Sequence, residues 1–136
     1  KGDIVISYDK YWLDLWSLRF DDPLEDAESF LEREGFLVDI GRRTSLLSEI
    51  SGQYMGLLKI SPAGWAQIKH ILEFEGQHFC DKLDMTALLQ KLLKKNVLIN
   101  TVGIMGRWLE VDNQTDLKLY QKKMLDNHNW RHDWRW

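Results

Sequence analysis

The sequence predicts an α/β fold, a mixed sheet flanked by helices. Two observations carry that reading. Strand-like runs alternate along the chain with segments of helical spacing, the order that covers a sheet with helices. An early β-hairpin adds antiparallel pairing to what would otherwise be a parallel sheet.

Residues 3–8 (DIVISY) are rich in β-branched side chains and form the first strand. Gly2 and Asp9 bound it, as suits a strand covered on both faces. Residues 11–20 are aromatic and read as a helical turn or a structured loop, ended by Pro23. Residues 29–40 read as the hairpin. Glu34 and Gly35 supply its turn, and Phe36, Val38 and Ile40 share a face on the return. Residues 44–51 are polar and irregular, with room for one helical turn. Period-2 alternation over residues 53–60 places Tyr54, Gly56, Leu58 and Ile60 on one face of a strand.

Ser61 as N-cap and Pro62 in the first turn start a helix whose expected buried stripe is Trp65, Ile68, Ile71 and Leu72. Residues 84–95 form the clearest helix, with Met85, Leu88, Leu89 and Leu92 on one face and Lys94 and Lys95 at the end the dipole favours. Residues 97–102 and 107–111 are expected strands. Asn113 then caps a last helix, with Asp116 three residues on and an apolar face of Leu117, Tyr120 and Met124. The expected organisation is one domain over residues 1–125 and a tail over 126–136.

The chain of 136 residues is long enough for one real core. Its 44% apolar and 29% charged residues are ordinary for a soluble protein. A net charge of -3 leaves no electrostatic footprint for nucleic acid. No apolar run approaches the roughly 20 residues of a membrane span. Cys80 is the single cysteine, which excludes an intrachain disulfide and a cysteine-based zinc site. No signal-peptide pattern opens the sequence, so a cytoplasmic protein is the default expectation. Trp130, Trp134 and Trp136 alternate with arginines in the tail. Burial against the domain is the expected fate of these rings, and docking onto a second subunit is the alternative.

Four places draw chemical interest. The run Glu110, Val111, Asp112 leads straight into a capped helix, and ligands of α/β sheets bind at the carboxyl ends of strands. A carboxylate there suits Mg²⁺, which takes one or two protein carboxylates and keeps water and phosphate oxygens besides. From spacing alone, a helix cap at Asp112 or Asn113 is the simpler reading. The second place is GQYMG at 52–56. A glycine inside a strand marks close approach of a ligand or another backbone, and Tyr54 projects on the same side as Gly56. Asp84, before a helix, is an N-cap by default and becomes a site residue only beside a cationic substrate. Arg19 lies among Asp21, Asp22, Asp26 and Glu28, a solvated loop by default, and its guanidinium suits a phosphoryl group. His70, His78, His128 and His132 form no H-E-x-x-H pair. No nucleophile and base pair emerges, so no catalytic side chain is assigned.

Taken together, residues 3–9 (DIVISYD), 12–28 (WLDLWSLRFDDPLEDAE), 52–57 (GQYMGL), 83–86 (LDMT) and 106–112 (GRWLEVD) with Asp116 and Leu117 resemble the nucleotidyltransferase superfamily. That superfamily includes the phosphocholine cytidylyltransferases and the sugar-phosphate nucleotidyltransferases. The resemblance spans residues 3 to about 120 and implies the C-terminal part of a Rossmann-like fold with a β-hairpin insertion. It implies transfer of a nucleotidyl group, CMP from CTP, to a phosphorylated small molecule, with release of pyrophosphate. Asp112 matches the family's Mg²⁺ ligand, which favours metal over cap. Tyr54 and Gly56 match the strand that walls the acceptor pocket, and Glu110 stands in the matching strand end. Asp84 matches an acidic position near cationic acceptors, and Arg19 lies in a matching block.

The departures are as informative. The family's glycine-rich loop that cradles the triphosphate, its arginine and lysine, and a further metal-binding aspartate have no counterpart in these 136 residues. The resemblance therefore implies an acceptor-side part of an enzyme, inactive alone, with a nucleoside triphosphate and a phosphorylated acceptor as partners of the intact protein. A severed sheet edge also implies self-association. Phosphocholine or an aminoalkylphosphonate is the expected acceptor, because Tyr54, Trp12, Trp16 and Trp108 suit an amine or quaternary ammonium. A sugar-1-phosphate is the rival acceptor, and a non-catalytic interaction domain on the same scaffold is the rival function.

Overall fold

The computed structural model describes residues 2–75, 80–126 and 129–135. His78, His128 and Trp136 lie outside the described residues. Five strands form one sheet in the order β2-β3-β5-β1-β4. The strands are β1 (Ile4–Asp9), β2 (Glu28–Arg33), β3 (Phe36–Arg43), β4 (Gln53–Ile60) and β5 (Asn100–Ile104). β1 and β5 run parallel, and the other pairings are antiparallel. The helices are α1 (Trp12–Arg19), α2 (Pro62–Leu72), α3 (Met85–Lys94) and α4 (Gln114–Asp126). The α/β class and the mixed sheet are as the sequence predicts.

Local signals act where they stand. Glu34 and Gly35 both take positive φ, 55° and 83°, the geometry of a two-residue hairpin turn. Ser61 accepts a hydrogen bond from the Gly64 N–H at 3.0 Å and caps α2. Asp84 caps α3 through the Ala87 N–H at 2.7 Å. The irregular stretch before β4 holds a single helical turn at Leu47–Glu49.

One face of the sheet is covered by α2 and α3. Ile4, Ile6 and Phe30 meet Ile68, Leu89 and Leu92 there in one apolar core. On the uncovered side Val38, Leu57 and Val102 remain 47%, 62% and 52% exposed. A second cluster packs Trp12, Leu15 and Trp16 of α1 against Tyr120 and Met124 of α4, with Trp108 and Trp130 at its border.

Several expectations are corrected. In β3, Leu37 and Ile40 are buried while Phe36 and Val38 are exposed, because the pairing with β2 slips after Leu31 and changes which face the chain presents. In α2, Gly64 and Ile68 face inward and Trp65 is 49% exposed, because the helix sits against the Asp3 carbonyl. Met85, at the start of α3, is 38% exposed, so that helix's buried face is Leu88, Leu89 and Leu92. In α4, Leu117 is 43% exposed and Asp116 takes the inward position beside Arg19. The expected strand at 107–111 does not form. Gly106 and Arg107 take φ of 73° and 59°, which turns the chain out of the sheet after β5. The Arg107 N–H then donates to the Arg131 carbonyl in the tail at 2.8 Å instead of to a strand.

Candidate functional site

α1 ends on Arg19, whose side chain is 2% exposed. The guanidinium lies over the rings of Trp16 and Phe20, 5.3 and 5.0 Å from their centres. Nη1 donates to Glu110 Oε2 at 2.8 Å, and Nη2 donates to Asp116 Oδ2 at 3.3 Å and to Asp112. Burial opposes the charge of Arg19, but hydrogen bonds to Asp112 and Glu110 outweigh it, and the pKa stands above the usual range. Glu110 is its counterpart. Burial raises that carboxyl above the ordinary carboxylate range, the Arg19 hydrogen bond pulls it back, and the nearby Asp112 charge adds to the rise.

The chain around these carboxylates is held by α4. Tyr120 OH donates to the Glu110 carbonyl at 2.8 Å, and the Asp112 N–H donates to Asp116 Oδ2 at 3.0 Å. Asn113 Oδ1 accepts from the N–H groups of Thr115 and Asp116 at 2.8 and 3.0 Å. The cap role thus belongs to Asn113, and the Asp112 side chain, 60% exposed, is left to Arg19 and to solvent.

A cavity of about 400 Å³ opens beside this cluster. Tyr54, Gly56, Glu110 and Asp112 line it together with Asp26 and Glu28. Four of the six candidate residues therefore meet at one cleft. Gly56 has φ 74°, where β4 slips register against β1 between the pairs Tyr8–Tyr54 and Ile6–Leu58. A Cβ on Gly56 would meet nothing within 4 Å, so the bulge leaves open space. Tyr54 OH is buried without a hydrogen-bond partner among the described residues, and burial raises its pKa.

The remaining two candidates stand differently. Arg19 lies behind the cleft with Nη1 and Nη2 directed at carboxylates. Asp84 caps α3 and is not among the lining residues, whereas Thr86 is. Asp26, Glu28 and Asp116 stand in stretches that carry the family resemblance, but no site role is assigned to them from sequence. The signal that could have promoted Asp26 is its spacing from α1, since Trp16 Nε1 donates to Asp26 Oδ2 at 3.0 Å.

Sequence comparison makes the chain a distant homologue of a nucleotidyltransferase. It is 33% identical over 130 residues to the CTP:phosphoglutamine cytidylyltransferase of Campylobacter jejuni, a match covering 90% of this chain and 51% of that protein. The chain thus spans about half the length of the curated relative it matches. No family model matches the chain, and no solved structure matches it. Among the described residues no helix is long and apolar enough to cross a membrane.

Proposed function

We propose that this chain is the acceptor- and metal-binding part of a cytidylyltransferase of Rossmann-like fold. The enzyme transfers CMP from CTP to a phosphorylated small molecule and releases pyrophosphate. The observation that carries the reading is the convergence of Tyr54, Gly56, Glu110 and Asp112 on one cleft in a chain homologous to a cytidylyltransferase. An oxygen of the acceptor phosphate attacks the α-phosphorus of CTP in line. One P–O bond forms, and the bond from the α-phosphorus to the bridging oxygen of pyrophosphate breaks. This chain contributes positioning: the cleft holds the acceptor, and Arg19 holds Glu110 and Asp112 at its rim.

Mg²⁺ fits the residues present. Among the described residues no three His, Cys, Asp or Glu side chains form a ready-made metal cluster, so a cation here relies on one or two carboxylates and otherwise on water and phosphate. Asp112, solvent-accessible and on the cleft wall, is the first of these, and Glu110 is its neighbour. When bound, the ion would offset negative charge on the phosphate oxygens.

The acidic lining supports an acceptor that carries a positive group, an amine or a quaternary ammonium. Asp26, Glu28, Glu110 and Asp112 face the cleft, and no lysine or arginine is among its described lining residues. Phosphocholine and aminoalkylphosphonates meet this requirement, as does phosphoglutamine, the acceptor in the name of the relative. A sugar-1-phosphate lacks the positive group. Pyrophosphate release by the full-length protein carrying this chain, with CTP, Mg²⁺ and each acceptor in turn, tests the proposal. Turnover of an amine-bearing acceptor is expected. Turnover of sugar-1-phosphates alone favours the rival acceptor, and no turnover with any acceptor overturns the proposal.

A further inference from the structure

The segment 105–113 leaves β5 and carries Glu110 and Asp112 without a helix or strand of its own to hold it. Its first half is gripped from elsewhere. Asp9, at the end of β1 and 0% exposed, accepts from the Gly106 N–H at 3.0 Å and from the Tyr11 N–H at 2.9 Å through one carboxylate oxygen, Oδ1. Arg107 N–H donates to the Arg131 carbonyl at 2.8 Å. The approach is so close that a Cβ on Gly106 would lie 2.4 Å from that carbonyl oxygen, so no side chain fits. Next in the tail comes His132, also 0% exposed. Its Nδ1 lies 3.0 Å from the Trp108 carbonyl oxygen and its Nε2 lies 3.2 Å from that of Tyr11. Carbonyl oxygens only accept, so each contact is a hydrogen bond when the facing nitrogen carries its proton. Asp9 Oδ2 makes no hydrogen bond among the described residues and lies 3.5 Å from His132 Nδ1. Trp130 packs on Tyr120 and on His132, with ring centres 5.8 and 5.5 Å apart, and Tyr120 in turn holds the Glu110 carbonyl.

We propose that residues 129–135 are a clip that sets where Glu110 and Asp112 stand, with His132 and Asp9 as its positioning residues. The proposal rests on the reading of those two carboxylates as cleft ligands. Packing a tail does not call for a buried histidine against a buried aspartate. Apolar residues of the same size would serve, because desolvating polar groups costs most of what their contacts return. Directional hydrogen bonds from a buried polar network instead fix the geometry of the backbone they touch. Here it touches residues 106, 107 and 108, two to six residues before the carboxylates.

The test uses the full-length protein carrying this chain, with His132→Ala, His132→Asn and Asp112→Asn. Asparagine places an N–H close to where Nδ1 stands and can restore the bond to the Trp108 carbonyl. Two quantities are read: amide hydrogen exchange at Gly106 and Arg107, and the Mg²⁺ concentration for half-maximal turnover beside the KM for CTP. In His132→Ala, exchange at both amides should quicken at least about tenfold while Ile6 and Tyr8 in β1 keep their rates. The Mg²⁺ requirement should rise about tenfold, the scale seen when an outer partner of a metal ligand is lost, with little change in the KM for CTP. His132→Asn should recover most of both effects. Unchanged exchange and Mg²⁺ requirement in His132→Ala overturn the proposal. So does an equal loss in both variants with β1 exchanging faster too, because the tail is then a general brace. Should His132→Ala fail to fold, Asp9→Ala removes the oxygen that accepts from the Gly106 N–H, and unchanged exchange at Gly106 in that variant overturns the proposal. Failure of the parent reading looks different: Asp112→Asn then retains turnover and Mg²⁺ requirement, while the two amides still report the clip.

Discussion

The two packed regions of this molecule obey different rules. Between the sheet and helices α2 and α3 the buried side chains that meet are apolar and tolerant of shape-preserving change. Between α1, α4 and the tail, tryptophans and tyrosines surround a guanidinium, an aspartate and a histidine. The first region secures the sheet. The second uses that sheet as a base and holds acidic groups at a cleft, which an apolar core cannot do. Under the proposed function, stability and activity rest on different side chains, and substitutions in the two regions should separate them.

The largest stability effect belongs to the first region. Leu92→Ala removes a side chain with 0% exposure and should cost about 2–5 kcal/mol in urea unfolding. The native fraction should keep its cleft properties. In the second region, Arg19→Met should cost less, about 2 kcal/mol, because Glu110 and Asp112 are partly exposed and water takes over part of their charge. Its effect on turnover of the full-length protein should be greater than its effect on melting. Unchanged stability with collapsed turnover would instead make Arg19 a direct phosphoryl ligand. Truncation after Asp126 should lower the melting temperature by about 5 °C, the scale of roughly 1 kcal/mol in a domain this size. Oligomeric state should stay as it is, since we assign any self-association to the exposed sheet face and not to the tail. Weaker association with an unchanged melting temperature would make the tail an interface.

The smallest effect is a pH effect in the hairpin. The Gly35 N–H and then Tyr8 OH hydrogen-bond Glu32 and hold its carboxyl below the ordinary value of 4.5. A folded pKa below the unfolded one stabilises the protein above the ordinary value, and that stability is lost as pH falls through the folded value. Glu32→Gln should therefore flatten the acid limb of the stability curve below about pH 4.5, with little change at neutral pH. An acid limb identical to wild type would count against the assignment.

The same division decides what could be read from sequence. Caps at Ser61, Asp84 and Asn113 and the turn at Glu34 and Gly35 are signals within a few residues, and each acts in place. The period-2 reading of β4 holds for Tyr54, Leu58 and Ile60, which pack on the core, but a bulge at Gly56 interrupts it. Trp108, Leu109 and Val111 form a short apolar run that mimics a strand, yet two residues of positive φ have already turned the chain out of the sheet. Trp65 and Leu117 fit their helical stripes and still face outward, because the depth of each helix is set by what it packs against. Asp112, Tyr54 and Gly56 line one cleft although they lie far apart in sequence. The ion pairs from Arg19 to Glu110 and Asp112 join residues 91 and 93 positions apart, and His132 meets Tyr11 across 121. No periodicity or spacing rule spans such separations.

The most direct test of the central claim is turnover of Asp112→Asn in the full-length protein carrying this chain, with CTP, Mg²⁺ and an amine-bearing phosphorylated acceptor. The substitution keeps size and shape and removes a charge from the cleft wall. We expect kcat to fall at least about 100-fold, near 3 kcal/mol of lost charge stabilisation, with a melting temperature close to wild type. Turnover near the wild-type rate would contradict the claim and leave Asp112 as an ion-pair partner of Arg19 and nothing more.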